Sequence, residues 1–239
     1  ALERWARRRQ RYAFSAQKSR TLEPLRIEGF WGWLAFTLGS LPILIGFAGP
    51  ALYLMTQAWT RYQFSGVSAR FHSEAVNTIV FAGLATLVTL FLGLVVAYAM
   101  RIVPGRASLW SFRLATVGYA APGTVIAIGV LIALGGFDRF VDQTMQSWFG
   151  ISTGLLLIGS GAALIFAYTA RFLTIAAGGI DAGLSRIPLS FDHASRTLGR
   201  APGATFRHVH LPLSKAAMAA AGLLVFVDCV KELPATLLL

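Results

Sequence analysis

The sequence predicts an all-α fold, a polytopic bundle of membrane-spanning helices, and its composition and its long uncharged stretches are the basis for this prediction. Of the 239 residues, 56% are hydrophobic and 13% are charged, and the mean hydropathy is +0.64. A soluble globular domain is normally about a quarter charged. This apolar content excludes intrinsic disorder, and a single cysteine, Cys229, excludes a disulfide-stapled secreted domain.

Five stretches are long and apolar enough to cross a bilayer. Each of the first four exceeds the ~20 residues that span a hydrocarbon core of ~30 Å. A lone strand would leave its backbone groups unpaired in lipid, and the alternating pattern of a membrane barrel is absent, so the stretches are predicted to be helices. They are residues 29–60, 75–100, 114–137 and 143–170, and a fifth span from about Leu213 to about Leu233.

The basic residues predict the orientation of the chain. Of the 21 Lys and Arg residues, eight precede the first span, three lie in 101–113 and six in 171–215. Only Arg61, Arg70 and Arg139 are assigned to the two intervening loops. The positive-inside rule therefore predicts a multi-pass membrane protein with a cytoplasmic N-terminus. Because the net charge of +11 follows this topology, the predicted surroundings are membrane lipid and not nucleic acid.

The predicted organisation has three parts. Residues 1–28 form a basic cytoplasmic tail or linker, residues 29–71 the first span and a periplasmic loop, and residues 72–239 the main transmembrane domain. The basic cluster 7–11 could contact lipid headgroups, but a linker is favoured. Because the chain starts with Ala1 and stops within an apolar run, we expect it to be an excerpt of a longer chain.

The third predicted span contains Pro122 and Gly123 near its centre. Proline removes a backbone donor and clashes with the preceding turn, so the helix is expected to kink or open there. Irregular backbone inside a membrane persists only against protein or a water-filled cavity. The pair is therefore either a structural kink in a packed helix or a hinge that lines a transport pathway.

The predicted cytoplasmic loop, residues 186–212, has local signals for two short helices. Pro188 favours a helix start and Gly199 a helix end, and Pro202 favours the start of a second short helix. Pro212 is expected at the beginning of the fifth span. The bend at Gly199 is predicted to expose Leu198 and Phe206 beside basic residues, a surface that normally has a partner to cover it.

This loop resembles the signature of binding-protein-dependent ABC importer permeases, an E-A-A-x-x-x-G segment followed after nine residues by I-x-L-P. His193-Ala194-Ser195 occupy the first three places and Gly199 the glycine, and residues 209–212 read Val-His-Leu-Pro. His193 replaces the usual acidic residue, although Asp192 lies one position earlier, and Ser195 replaces an alanine. The glycine, the spacing and the Leu-Pro pair are retained.

Further stretches resemble the ferric-iron branch of that family. They are residues 122–129 and 231–237, and Asn77-Thr78 also fits the permease pattern. The resemblance covers roughly residues 72–239. It implies a type I ABC importer permease fold in the bacterial inner (plasma) membrane, with this chain as the second half of a two-repeat protein, cut before a sixth span.

The resemblance also implies a mechanism. Two permease halves, or two homologous subunits, form the pathway, a periplasmic solute-binding protein delivers the solute, and a cytoplasmic ABC ATPase dimer drives transport. The solute implied is Fe(III), and permeases for a polyamine, thiamine, a phosphonate or an oxyanion are the alternatives. The residues that would couple the permease to the ATPase are His193, Ala194, Ser195, Leu198, Gly199, Phe206, Val209, Leu211 and Pro212.

The sequence predicts a transport subunit and no enzyme, with ATP hydrolysis in a separate partner. It contains neither a G-x-x-x-x-G-K-[ST] phosphate-binding loop nor an H-E-x-x-H motif or cysteine cluster, so we expect no cofactor and no resident metal. His193, His208 and His210 share one loop and are expected to face solvent or a partner.

Asp228 and Glu232 lie four residues apart, which places both on one helical face. They are predicted either to line the solute path, or, for Asp228, to form a structural ion pair with Lys231. The rival classes are a gradient-driven carrier and a membrane enzyme or signalling anchor. The first would have paired broken helices and the second a convergent polar pair within the spans, and neither feature is visible.

Overall fold

The computed structural model describes residues 28–103 and 105–239. The basic cluster 7–11 and the rest of the predicted tail lie outside the described residues. The chain divides into two compact units, one ending at Val67 and one comprising Ser68–Leu239. The first unit contributes a single long helix, and the second unit is a helical bundle.

The fold is all-α, as predicted, and its described residues contain helices, turns and loops but no strand. Five helices, α1, α2, α4, α5 and α7, are long and apolar enough to cross a membrane, which confirms a polytopic bundle. The helices are α1 (Phe30–Ser65), α2 (Ala69–Ile102), α3 (Arg106–Ala115), α4 (Gly123–Phe149), α5 (Gly161–Leu184), α6 (Leu189–Thr197), α7 (Pro202–Lys231) and α8 (Leu233–Leu238).

The helices do not follow the uncharged windows of the sequence. The windows 114–137 and 143–170 are wrong as spans, because α4 continues past Asp138 to Phe149 and α5 starts only at Gly161. Arg139 and Arg171, assigned above to loops, lie inside α4 and α5. Arg61 and Arg70, also assigned to a loop, belong to α1 and α2. Charged residues are tolerated within these helices where other parts of the fold satisfy them or where the helix extends beyond the hydrocarbon.

Asp138 shows how α4 accommodates a charge. Its side chain is fully buried, and its carboxylate accepts hydrogen bonds from the backbone N–H groups of Leu157 and Ile158 at 2.9–3.1 Å. One turn later, Asp142 accepts bonds from the backbone N–H groups of Thr153 and Gly154. The two carboxylates thus bind the irregular segment 150–160, which joins α4 to α5, and the helix can extend through them.

The centre of the second unit is formed by α2, α5 and α7, which pack through small residues. A Cβ atom on Gly93 of α2 would lie 2.7 Å from that of Ala176 in α5, and one on Gly179 of α5 would lie 2.9 Å from that of Ala221 in α7. Such contacts let the backbones approach closely, which is the main source of packing energy between helices in lipid.

The distribution of side chains between core and surface is that of a membrane protein. Large apolar residues such as Leu87, Phe91 and Leu223 are exposed, whereas polar residues such as Thr89 and His210 are buried. In water this arrangement would be strongly unfavourable. A lipid environment favours it, because the bilayer solvates the apolar surface while the bundle satisfies the polar groups.

The backbone irregularity predicted at Pro122 is present, and it is wider than predicted. Helix α3 ends at Ala115, residues 116–122 form an irregular segment with one short 3-10 turn, and Pro122 directly precedes α4. The segment packs against the middle of α5, where the Thr174 hydroxyl donates a 3.0 Å hydrogen bond to the Thr116 carbonyl. The helical interruption is therefore covered by protein, as a membrane environment requires.

Gly118 fixes the contact between this segment and α5, and we expect Gly118→Ala to destabilise the fold by about 1–3 kcal/mol. A Cβ atom there would overlap the backbone carbonyl of Ala170, which cannot rotate away as a side chain could. Gly129→Ala is the matched control, because nothing lies within 4 Å of a Cβ at that helical position. Thermal unfolding of both variants in detergent tests the contact, and equal midpoints would contradict it.

Candidate functional site

The 186–212 loop begins with α6, and the sequence signals for this helix are confirmed. Pro188 precedes its first residue, and Gly199 follows its last turn with φ +72°, a conformation that favours glycine. The Gly199 N–H donates to the Arg196 carbonyl, and the Arg200 N–H to the Ser195 carbonyl. These bonds close the end of α6 and turn the chain sharply towards α7.

The second short helix predicted in this loop does not exist as a separate element. The helical turn that starts at Pro202 continues through a π-helical turn, Phe206–His210, into the long helix α7. Pro212 lies within this continuous helix and not at its beginning. The wider π turn before Pro212 accommodates a ring that would otherwise clash with the carbonyl four residues earlier. The loop is therefore an elbow between α6 and the first turns of α7.

The nine predicted coupling residues differ in their exposure. Leu198 is 78% exposed, and His193 and Ala194 are also exposed, as are Gly199 and Pro212. Ser195, in contrast, is only 4% exposed. The remaining three, Phe206, Val209 and Leu211, are half-buried.

Two of these residues face the bundle and not its surroundings. The predicted exposure of Phe206 is wrong, because its ring packs on that of Tyr98 in α2 with 4.7 Å between centroids. Ser195 has its hydroxyl 2.6 Å from the hydroxyl of Thr205 at the start of α7. The elbow thus has an inner face bound to the bundle, and its outer face is accessible.

The inner face of α6 is anchored by Asp192. Its carboxylate accepts a hydrogen bond from the Arg101 guanidinium of α2, and its other oxygen lies 3.1 Å from Nε2 of His210 in α7. Arg101 also donates to the backbone carbonyls of Leu184 and Ile187, at the end of α5 and just after it. The Asp192 carboxylate therefore connects α6 to α2 and α7. Its partner Arg101 extends the connection to the end of α5.

His210 is fully buried in this cluster, so the expectation that all three loop histidines face solvent or a partner is wrong for His210. Its Nδ1 atom lies 3.2 Å from the Tyr98 hydroxyl. The other two, His193 and His208, are exposed. The difference arises because position 210 is on the side of the π turn that faces α2.

A second charged cluster lies where the backbone is interrupted before α4. Arg171, in the middle of α5, donates a 2.7 Å hydrogen bond to the carboxylate of Glu232, between α7 and α8. The side chains are 22% and 9% exposed, respectively. Gly123, the first residue of α4, lies so close that a Cβ there would overlap both charged groups. We call Gly123, Arg171 and Glu232 the Arg171 cluster.

Glu232 and Asp228 do not share a helical face, contrary to the prediction. Helix α7 ends at Lys231, and Glu232 has an extended backbone. Its carboxylate points to Arg171, whereas Asp228 pairs with Lys231 at 2.9 Å, three residues further along the helix. The alternative of a structural ion pair for Asp228 is therefore present, and the two carboxylates have different partners.

Sequence reasoning missed Arg101, Arg171 and Asp138 as important side chains. Each is a charged residue within or at the end of a membrane-spanning helix, and such residues normally face the interior and have a partner. That rule could have singled them out, because each interrupts or borders a long apolar stretch. It could not have named their partners, which lie 19 to 91 residues away along the chain.

Comparison with known proteins identifies relatives of one kind. No protein-family model matches the chain. It is 29% identical over 181 residues to the Fe(3+)-transport system permease protein FbpB 2 of Haemophilus influenzae, with 75% of this chain covered. It is 28% identical to the putative ferric transport system permease protein FbpB 1 of the same organism and also to the ferric transport system permease protein FbpB of Actinobacillus pleuropneumoniae. Each of these two matches extends over 176 residues and covers 73% of this chain.

These matches involve only part of each relative. The chain covers 32% of the first relative and 25% and 23% of the other two, so it spans about a third of their length or less. All three are named as ferric transport permeases. The resemblance to ferric transport permeases, indicated in the sequence by residues 122–129 and 231–237, is thereby confirmed.

Proposed function

We propose that the chain is part of the transmembrane permease of an ATP-driven Fe(III) importer, and that α6 couples it to a cytoplasmic ABC ATPase dimer. The anchoring of α6 is the observation that carries this proposal. Its inner face is bound to α2 and α7 through Asp192 and Ser195, while its outer face displays Leu198, His193 and Ala194. A short helix held in this way can transmit the movement of a soluble partner to two spans.

The charge distribution supports a cytoplasmic location for this elbow. The segments 66–68 and 150–160 contain no charged residue, whereas α3 and the 186–212 loop are rich in arginine. The ends of α2 and α5 and the beginning of α7 all meet at the elbow, so these spans share one arginine-rich side. By the positive-inside rule the arginine-rich side is cytoplasmic, as is the N-terminus. A periplasmic binding protein would deliver the solute to the opposite side of the membrane.

We assign the Arg171 cluster and the interruption before α4 to the solute pathway. Ionisable residues within spans and interrupted helices are both features that mark solute pathways in membrane transporters. Pro122 and Gly123 are the hinge in this proposal, and Glu232 is the carboxylate nearest to it. Asp228 is paired with Lys231 and is proposed as a residue at the edge of the pathway.

Cysteine crosslinking tests the coupling proposal, because the elbow contains two adjacent positions of opposite exposure. We expect Ala194→Cys to crosslink to an ATPase subunit in intact membranes and Ser195→Cys to crosslink poorly, by about tenfold less. Ala194 is exposed, whereas Ser195 is buried against Thr205. The crosslinked partner is identified by mass spectrometry.

The native Cys229 is buried and serves as the internal control for non-specific reaction. A gradient-driven carrier or a membrane anchor would give no ATPase adduct at position 194. Such a result, with both variants normally inserted, would overturn the coupling proposal.

A further inference from the structure

One face of α5 changes its character along the length of the helix. In the first half, Ala163 and Ala167 are fully buried in a cluster with Val130 of α4. In the second half, positions spaced by three or four residues continue this face with mostly polar side chains. They are Arg171, Thr174, Gly178, Asp181 and, just after the helix, Ser185. The change occurs at the level of the backbone interruption before α4, because the irregular segment 116–122 packs there.

Open space lies against this face one turn beyond the irregular segment. A Cβ atom on Gly178 would have no heavy atom from another part of the described bundle within 4 Å. On the adjacent face the packing is tight, because a Cβ on Gly179 would lie 2.9 Å from that of Ala221 in α7. The Thr174 hydroxyl, one turn before Gly178, bonds to the Thr116 carbonyl. The described bundle therefore covers this face at Thr174 and leaves it open at Gly178.

Asp181 adds a charge to the open part of the face. It is half-buried, and it lies in the last turn of α5, which ends at Leu184. Among the described residues its carboxylate has no ion-pair partner. An ionisable group within a span normally faces the bundle interior or a water-filled cavity, because contact with lipid is costly. The open space beside Gly178 and Asp181 is therefore expected to contain water.

The polar face connects the Arg171 cluster to one end of the bundle. The separation of Arg171 and Asp181 in the sequence corresponds to about 15 Å along the helix. The end of α5 reaches the elbow, where Arg101 donates a 2.6 Å hydrogen bond to the Leu184 carbonyl. With the elbow in the cytoplasm, as proposed above, the face leads from the interruption before α4 towards the cytoplasm.

We propose that this face of α5, from Arg171 past Gly178 to Asp181, lines the water-filled exit by which the solute leaves the Arg171 cluster for the cytoplasm. The proposal rests on the proposed function for the direction of transport and for the hydrophilic nature of the solute. Gly178 leaves room for the solute because it has no side chain, and Asp181 retains water because a carboxylate is strongly hydrated. An exit must conduct the solute without holding it tightly, so a single carboxylate suits it better than a chelating site would.

Cysteine labelling tests whether this face contacts water. Gly178→Cys and Asp181→Cys are introduced into the full-length permease of the assembled importer, in inside-out membrane vesicles. We expect a positively charged, membrane-impermeant methanethiosulfonate to label both at least about tenfold faster than Phe91→Cys, because the reactive thiolate forms in water and not in lipid. Phe91 is the matched control, because it is 65% exposed on α2 and lies close in sequence to Gly93, which contacts Ala176 of α5.

The labelling pattern distinguishes an exit from a charge at the membrane surface. Labelling of Gly178→Cys at the expected rate supports the exit. Labelling of Asp181→Cys alone would mean that position 181 only reaches the water at the end of the helix, and would overturn the exit. The unsubstituted permease, whose Cys229 is buried, gives the background.

Gly178→Leu tests whether the open space is used in transport. The added side chain extends into this space, so we expect uptake to fall at least about tenfold while the midpoint of thermal unfolding in detergent does not decrease. Gly83→Leu is the matched control, because a Cβ there also has nothing within 4 Å and its neighbours on the α2 face, Val80 and Leu87, are exposed and apolar. It is expected to leave uptake unchanged. Normal uptake in Gly178→Leu would contradict the proposed exit.

The ATPase crosslink separates this proposal from the proposed function. It is measured from Ala194→Cys in the otherwise native chain and in the Gly178→Leu background. Normal uptake in Gly178→Leu together with an ATPase adduct refutes only the exit. An absent adduct in the otherwise native chain refutes the coupling instead, whatever the labelling at position 178 shows.

Discussion

Replacing Glu232 by alanine is expected to destabilise the permease by about 3 kcal/mol and to abolish iron uptake. The substitution leaves the Arg171 guanidinium without its carboxylate, although this guanidinium lies in the middle of a spanning helix and is largely buried. Breaking a buried pair by removing one partner costs far more than the pair itself contributes, because the remaining charge is uncompensated. Thermal unfolding in detergent and uptake of radioactive iron into proteoliposomes of the assembled importer measure the two effects.

The neighbouring pair, Asp228 and Lys231, provides the matched control. Lys231 is 66% exposed and Asp228 is 25% exposed, so removing the Asp228 carboxylate leaves a solvated ammonium group, and Asp228→Ala is expected to change stability by less than about 1 kcal/mol. Both substitutions remove one carboxylate within the same turn of the chain. If the two variants lost stability equally, the burial of the Arg171 cluster would not be the cause.

A double variant separates the structural role of the Arg171 cluster from its role in transport. Replacing a buried ion pair by apolar residues of similar size is often neutral for stability. We therefore expect Arg171→Met combined with Glu232→Met to recover most of the stability lost in Glu232→Ala. If the cluster lines the solute pathway as proposed, uptake is expected to stay absent, because the double variant lacks both charged groups. Full recovery of uptake in the double variant would show that the pair is structural only.

The helix α6 could be predicted from the sequence because its signals are local. Pro188 and Gly199 determine its ends through backbone properties that do not depend on the rest of the fold. The irregular backbone before α4 was predictable for the same reason, since Pro122 acts on its own turn. The resemblance to the permeases depends on these same local features, and they are retained in this chain.

The ends of α4 and α5 could not be predicted, because their charged residues are stabilised by distant partners. Asp138 is compensated by backbone N–H groups of the segment 150–160, and Arg171 by Glu232, 61 residues away. A count of charges treats every such residue as the end of a span. In the folded bundle, hydrogen bonds offset the cost of burying these charges, so both helices continue past their charged residues.

The inner and outer faces of the elbow were also beyond prediction. Phe206 and His210 are directed inwards by the π turn and by Tyr98, which lies more than 100 residues earlier in the chain. An aromatic or histidine side chain beside basic residues has the composition of an exposed surface. Only the packing of α7 against α2 determines that these two side chains are inside.

Cutting the Asp192 anchor is expected to uncouple ATP hydrolysis from transport. Asp192→Ala removes the contacts of α6 with Arg101 and with His210, and Arg101, whose side chain is 9% exposed, keeps its bonds to the Leu184 and Ile187 carbonyls. Because a buried charge loses its counter-charge, we also expect a loss of stability, which thermal unfolding in detergent measures. The outer face of α6 is unchanged, so under the proposed coupling the ATPase is expected to dock and to hydrolyse ATP as before. The remaining connections of α6 to α7 are the contact between Ser195 and Thr205 and the turn that follows Gly199, and we expect iron uptake to fall about tenfold at similar ATPase activity.

Ser147→Ala is the control for this variant, because Ser147 is an exposed residue of α4 that belongs neither to α6 nor to its anchor, so its loss should leave uptake unchanged. Crosslinking from Ala194→Cys in the Asp192→Ala background reports whether the ATPase remains docked. A retained adduct with reduced uptake is the signature of a lost mechanical connection, since a folding defect or a lost interface would reduce the adduct as well. Normal uptake in Asp192→Ala would mean that the movement of α6 reaches the spans without this carboxylate, and that its anchoring to α2 and α7 is not the coupling device.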